Sequence, residues 1–436
     1  MEWWHWFVLL ISSFLFLLAI GFPVFLAFIV VDVVMIYILM GDVGISMLVD
    51  SMFSAISSFS LMPIPLFILM GEILVFSGVF VQAIDTLDLW TGRIRGRLCV
   101  ITLVAATIFS CISGSSMACT AMLGSLMLPE MLRRGYHKSI AVGSCMSGSL
   151  DMIIPPSALA VVLGTLAEIS VGKLLMSGLL PGLLMIGLYG AYILIRCKIQ
   201  PHLAPVYTPR QASWAEKTKL LMVYVIPFFV IIVAVLGVII IGIVTPTEAA
   251  AIGSLLSGLL VAMYRKLTWK AVMKSIEGSL RITTMMFMIL TGAIAFSQIL
   301  AYTGASKGLL NFILGFEISP YFVLSVMMVV LLCLGMLMEQ VAIMMITVPI
   351  FMPFVKAFGW DPIWFGLLYL INMSVAMKSP PFGLCLFVMQ GVAPPEISTL
   401  DIYKSVTPYI LLDILAIAII VFFPEIATVI PNLMRY

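Results

Sequence analysis

Long apolar runs separated by short polar or basic segments set the frame of this chain. At about 20 apolar residues per spanning helix, they predict roughly ten membrane passes. The passes fall near 4–20, 23–40, 61–80, 139–164, 174–195, 220–242, 249–264, 282–301, 363–388 and 406–424. Two further apolar stretches, 98–132 and 320–356, do not fit single passes. Each is too long for one span and short for two. Each also holds a cluster of helix breakers near its middle, Ser113-Gly114-Ser115-Ser116 in the first and Gly335–Gln340 in the second. Both stretches therefore read as re-entrant helical hairpins. Such a turn survives at membrane depth only where protein or a water-filled cavity satisfies its backbone.

Charge placement gives an orientation. Arg93, Arg95 and Arg97 form one basic cluster, and Arg133, Arg134 and Lys138 a second. The loop 196–219 and the run Arg265, Lys266, Lys270 and Lys274 form two more. The positive-inside rule makes these segments cytoplasmic. The first hairpin is then entered from the cytoplasm and the second from outside, and the N-terminus lies outside. Of the 22 basic residues, Lys173, Lys307, Lys356 and Arg435 fall outside, and Lys378 falls within the membrane. The stretch 265–280 is amphipathic and is expected along the cytoplasmic surface. Trp3, Trp4 and Trp6 read as an interfacial anchor, and the first residues lack the positive start of a signal peptide.

Composition narrows the class. The 436 residues are 63% hydrophobic and 10% charged, with net charge +2, against roughly 25% charged in soluble domains. This excludes a soluble fold and a nucleic-acid binder. The seven cysteines show no CxxC pair and read as packing residues. The expected class is an all-α polytopic membrane protein.

The chain also repeats. LPEMLRRGY resembles MPFVKAFGW, Pro155-Pro156 matches Pro380-Pro381, and LMGEILVFS matches LTGAIAFS, all in the same order and at a near-constant offset. Residues 1–219, with a cytoplasmic linker, form the first unit and 220–436 the second. Each has one hairpin and one helix broken at a proline pair (139–164 and 363–388), and their topologies are opposite. Inverted repeats with broken helices point to an alternating-access transporter with its site near the bilayer midplane.

The breaks supply the chemistry. A proline pair inside a span removes backbone donors and disfavours helix before it. Carbonyls at 149–154 and the hydroxyls of Ser113, Ser115, Ser116 and Ser149 are suited to a hard cation such as sodium. Helix N-termini at the same place favour an anion. Serines bonded back to a kinked helix would look the same in sequence. At the second break, Ser379 and the carbonyls before Pro380 are the counterparts. Intramembrane charges are costly and usually functional; Asp32, Glu72, Asp151, Glu248, Glu339 and Lys378 are weighed on that ground. Glu248 follows Thr245-Pro246-Thr247 and is expected to cap a helix. Glu339 is a candidate to orient the second tip, and Asp32 and Glu72 read as packing or interhelical contacts. Lys378 is expected either to contact a substrate anion or to stand where a second sodium would bind, with Asp151 as its partner or as a proton carrier. A structural salt bridge is the plainer alternative.

The stretches PIPLFILMGEIL (63–74), SGSSMACTAMLGSLMLPEMLRRGY (113–136), IIPPS (153–157), TPTEAAA (245–251) and PPFG (380–383) resemble the large membrane subunit of the tripartite ATP-independent periplasmic (TRAP) transporters over essentially the whole chain. The resemblance implies a sodium-coupled elevator transporter of the bacterial inner membrane that takes up small organic anions, carboxylates or sulfonates. It implies an extracytoplasmic substrate-binding protein and a small four-helix membrane subunit as partners, and no cofactor besides sodium as coupling ion. Carried over, one sodium site comprises Ser113, Gly114, Ser149 and Ile153, and the other Gly335, Glu339, Met377 and Ser379. The substrate would lie among Ser115, Ser116, Asp151, Pro155, Lys378, Ser379 and Pro380. Asp151 and Lys378 stand where small or apolar residues are common in the family, and Ser379 where threonine is usual. Three other readings are a transporter of the same superfamily working alone, a channel and an intramembrane serine hydrolase. The last lacks a base, because His5, His137 and His202 all sit at segment ends.

Overall fold

The computed structural model describes residues 2–91, 94–148, 150–205 and 212–434. Arg93, Ser149, Arg210 and Arg435 lie outside the described residues. In chain order the helices are α1 (Trp3–Ala19), α2 (Val24–Ile56), α3 (Pro63–Ser77), α4 (Phe80–Trp90), α5 (Arg97–Ser113), α6 (Ser116–Arg133) and α7 (Lys138–Met146). Then come α8 (Ala158–Leu166), α9 (Val171–Ser177), α10 (Leu179–Ile199), α11 (Trp214–Tyr224), α12 (Ile226–Ile241), α13 (Pro246–Met263) and α14 (Trp269–Tyr302). The last seven are α15 (Ala305–Leu314), α16 (Pro320–Gly335), α17 (Gln340–Ala357), α18 (Pro362–Met377), α19 (Leu384–Val392), α20 (Thr399–Phe422) and α21 (Glu425–Leu433).

Among the described residues, 7 helices are long and apolar enough to cross a membrane. The pair α11–α12, bent by 40°, makes an eighth if taken as one span. Of the ten expected passes, α1 is short, the two broken spans are each divided and 220–242 counts only together with α11, while the hairpin arm α17 is long enough to be counted. Both hairpins are present: α5 and α6 join at Gly114-Ser115, and α16 and α17 join across 336–339. Both broken helices are present too, α7/α8 around 147–157 and α18/α19 around 378–383. The order hairpin, helix, break, helix thus occurs twice. The bonds Pro155-Pro156 and Pro380-Pro381 are both cis.

Three boundaries differ from expectation. No proline interrupts Trp269–Tyr302, so the expected surface helix 265–280 and the span 282–301 form one 34-residue rod. At 1.5 Å per residue it is about 50 Å long, so its exposed basic end, with Lys270 and Lys274, projects beyond an apolar core of about 30 Å. The span expected at 23–40 runs on to Ile56, with its helix kinked at Gly41 (φ 62°). Finally, α11 and α21 occupy stretches expected to be loop or tail.

Two packing groups emerge. In one, α14 lies against α2 and α3, with α1, α13 and α15 alongside. In the other, α5–α8 and α16–α19 pack on α10 and α20. The groups meet where α3 touches α5 and α8, and where α14 touches α17. Close approach is built from small residues, as is usual between membrane helices. A Cβ on Gly292 would sit 2.5 Å from the Phe28 Cβ, and one on Gly278 2.4 Å from the Glu72 carboxylate. Glu72 is therefore an interhelical contact, as expected. Asp32 is fully buried, and neither carboxylate oxygen has a hydrogen-bond partner among the described residues. Trp3 is not a free membrane anchor: it packs against Gly308 and Phe312 of α15. All seven cysteines are free thiols.

Thr245 and Glu248 form the expected cap of α13. The Thr245 N–H donates to Glu248 Oε2 at 2.7 Å, and the Glu248 N–H donates to Thr245 Oγ1 at 3.4 Å. Thr245→Ala should lower stability by about 1 kcal/mol and speed hydrogen exchange at the first turn of α13. Unchanged exchange there would contradict the cap.

Candidate transport site

At the first tip, Gly114 adopts φ 60° and ends α5, and the Ser115 side chain caps α6 by accepting from Ala118 N–H at 3.2 Å. The Ser115 N–H in turn donates to Ser113 Oγ at 3.4 Å. The first break reaches this tip through Asp151. Its Oδ2 accepts the Ser116 N–H at 3.1 Å, and its Oδ1 accepts the Ser116 hydroxyl. A carboxylate thus sits on the N-terminal turn of α6, where backbone N–H groups favour negative charge. Gly148 allows this approach, since a Cβ there would lie 2.6 Å from Ala106 and 2.8 Å from Cys119 Sγ.

The other first-break residues fall differently. The Ile153 carbonyl is pressed against Gly178 at the start of α10, where a Cβ would come within 1.7 Å of it. Met152 O accepts from Ser157 Oγ at 3.3 Å. Pro155 lies in the break and is buried.

The second tip is built alike. Gly335 ends α16 against α18, so closely that a Cβ on it would lie 2.3 Å from Ala376 Cβ. Glu339 caps α17: its Oε2 accepts the Val341 N–H at 3.0 Å, so it orders the tip as expected. Ser379 is bonded back to its helix, donating to Val375 O at 2.8 Å. Met377 is buried, and its carbonyl packs on Gly383. Pro380 joins Ser379 to the cis bond.

Lys378 departs from expectation. Its Nζ lies 2.7 Å from Asp413 Oδ2 and 3.0 Å from the Tyr189 hydroxyl, and Lys378 and Asp413 are both 0% exposed. Tyr189 donates its own proton to Asp413 Oδ1. The partner of Lys378 is therefore Asp413, not Asp151. Asp151 feels the lysine only through space. The geometric reason is that the Lys378 side chain leaves the break toward α10 and α20, while Asp151 faces the α6 tip. Asp413 was legible: it interrupts the apolar run YILLDILAIAII, and the rule that flags intramembrane charges applies to it equally.

α3 backs onto the first tip. A Cβ on Gly71 would lie 2.5 Å from Ile112 O and 2.8 Å from Ser113 Cα. Gly71→Val should displace the tip and reduce uptake at least tenfold, with the protein still folded. Wild-type uptake by that variant would show the close contact to be dispensable. A cavity of about 570 Å³ with a mixed lining opens between the packing groups, with Ser51, Ser58 and Glu168 beside Leu61, Leu290 and Met345.

Residues 11–426 match the profile of the tripartite ATP-independent periplasmic transporter, DctM component. The chain belongs to this family. The C4-dicarboxylate TRAP transporter large permease protein of Pseudomonas aeruginosa is 31% identical over 391 residues, covering 87% of this chain and 88% of that protein. The ectoine TRAP transporter large permease protein of Halomonas elongata is 28% identical over 424 residues, covering 96% and 97%. In fold, the chain is similar to the YdaH transporter of Alcanivorax borkumensis, at TM-score 0.64 and 15% identity, over 89% of this chain and 91% of that one. This TRAP large permease is a multi-pass membrane transport protein and not an enzyme.

Proposed function

We propose that this TRAP large permease carries out sodium-coupled uptake of a small organic anion, a carboxylate or sulfonate, across the bacterial inner membrane. An extracytoplasmic binding protein delivers the substrate, and a small four-helix membrane subunit packs on the group formed by α1–α3 and α13–α15. The group formed by the hairpins and broken helices moves against it as an elevator. The repeats are inverted, with the first hairpin entered from the cytoplasm and the second from outside. The observation that carries the reading is the recurrence of one hairpin and one proline-broken helix in each half. Broken helices supply cation-binding carbonyls and anion-binding N-termini at membrane depth. The cavity along the seam between the groups leaves room for movement there.

The first tip is one sodium site. Ser113 and Gly114 lie at it, Ser149 belongs to the adjoining break, and Asp151 supplies negative charge beside it. Ser115, Ser116 and Pro155 on one side and Ser379 and Pro380 on the other border the substrate. Gly335, Glu339, Met377 and Ser379 form the second sodium site, at the second tip.

The relatives named for C4-dicarboxylates and ectoine support a small organic acid as substrate. Uptake into proteoliposomes with and without the binding protein tests the scheme. Accumulation only with the binding protein is expected. Equal accumulation without it favours a stand-alone transporter, and single-channel conductance favours a channel.

A further inference from the structure

We propose that the N-terminal end of α14, where it meets the end of α3, binds the headgroup of an anionic phospholipid in the cytoplasmic leaflet. The choice of leaflet rests on the proposed orientation. Binding itself is read without transport, so its failure leaves the transport reading intact.

Two exposed stripes run along residues 269–281 of α14. Trp269, Met273, Ile276 and Leu280 recur at helical spacing and are 77%, 43%, 37% and 61% exposed. Lys270, Lys274, Glu277 and Arg281 each follow by one residue and are exposed as well. One residue turns an α-helix by about 100°, so the charged stripe runs beside the apolar one. A third side is occupied by α3. There the Ser275 hydroxyl donates to Glu72 O at 3.2 Å, and Gly278 packs on the Glu72 carboxylate.

Hydrocarbon covers the apolar stripe but not a row of charges. Water covers the charges but leaves Trp269 and Leu280 wet. A phospholipid meets both needs, with acyl chains for one stripe and a headgroup for the other. The sign of the charge selects the headgroup. Lys270, Lys274 and Arg281 stand against Glu277 alone, and Arg265 and Lys266 precede them. A polybasic segment at the membrane surface attracts anionic lipid.

The cations converge on one place. Lys266 Nζ donates to Gly78 O at 3.1 Å, and Lys274 Nζ lies 5.9 Å from the centre of the Phe76 ring. Both ammonium groups are thus held at the C-terminal end of α3. Each ammonium carries three donors, so Lys266 keeps donors for phosphate oxygens. Lys270 lies one turn from Lys274 on the same stripe, and it has no hydrogen bond or ion pair among the described residues.

Native mass spectrometry of the transporter with its membrane subunit tests this, with phosphatidylglycerol or phosphatidylcholine added in detergent. The wild type should retain phosphatidylglycerol in preference. Each cation near an anionic lipid surface contributes about fivefold, so Lys270→Gln combined with Lys274→Gln should weaken retention about thirtyfold. Lys270→Arg combined with Lys274→Arg should keep it, as should Lys307→Gln on α15. Equal retention of the two lipids by the wild type overturns the proposal, and so does wild-type retention by the glutamine variant. Thermal protection by inorganic phosphate equal to that by phosphatidylglycerol would make this a free-phosphate site and overturn it too. Loss of the membrane subunit from the glutamine variant, with the lipid preference intact, would make the stripe a protein interface and overturn it likewise. Should the double variant not fold, Lys270→Gln decides, because Lys270 has no contact to lose: a fivefold weakening supports the site, and no change overturns it.

Discussion

Lys378→Met, assayed without sodium, is expected to lower the stability of the detergent-solubilised protein by about 3–5 kcal/mol. That is the usual cost of removing one partner of a buried ion pair, because the charge left behind is uncompensated. Here the partner left behind is Asp413, which is 0% exposed and is held by Tyr189 from the other side. Replacing both charges by apolar residues of similar volume should recover most of the loss, since a buried pair contributes little beyond its own desolvation. Thermal unfolding of wild type, Lys378→Met, Asp413→Leu and the double variant measures the coupling between the two sites. Additive losses would show that the pair does not act as a unit.

Asp151→Asn is the second large effect. The substitution keeps the shape of the side chain but removes the charge that accepts the Ser116 N–H and hydroxyl. At an effective dielectric of about 20, a carboxylate about 6–12 Å from a bound cation contributes about 1.4–2.8 kcal/mol of attraction. Losing it should raise the concentration of sodium giving half-maximal uptake roughly ten- to a hundred-fold. Folding should change less, because the amide oxygen still accepts one bond. Uptake assayed against external sodium distinguishes the two roles of Asp151. An unchanged half-maximal concentration with a lowered unfolding temperature would make Asp151 a structural brace.

The architecture was largely legible in the chain. Breaker clusters inside long apolar runs located the first hairpin turn at Ser113–Ser116 and the second within Gly335–Gln340, and helix ends fall there. Proline pairs located the breaks because proline cannot continue the helical hydrogen-bond ladder. Helix ends without breakers were not legible. Nothing between Trp269 and Tyr302 distinguishes a surface helix from the start of a span, and the ladder runs straight through. The site was legible only in outline. Sequence brought Asp151 to the first tip region, but which group each charge faces depends on side-chain direction. Proline spacing placed Lys378 near Asp151, yet its four-carbon stem carries the ammonium across to Asp413 and Tyr189. Likewise, Ser115 and Ser379 sit where cation ligands were expected, but one caps α6 and the other bonds back onto the end of α18.

The most direct test of the account is accumulation driven by sodium alone. Proteoliposomes holding the complete transporter, loaded without sodium and clamped at zero membrane potential, receive substrate-loaded binding protein in sodium or in choline buffer. The account predicts uptake above equilibrium in sodium, abolished by dissipating the gradient, and no accumulation in choline. Equal accumulation in both buffers would contradict it.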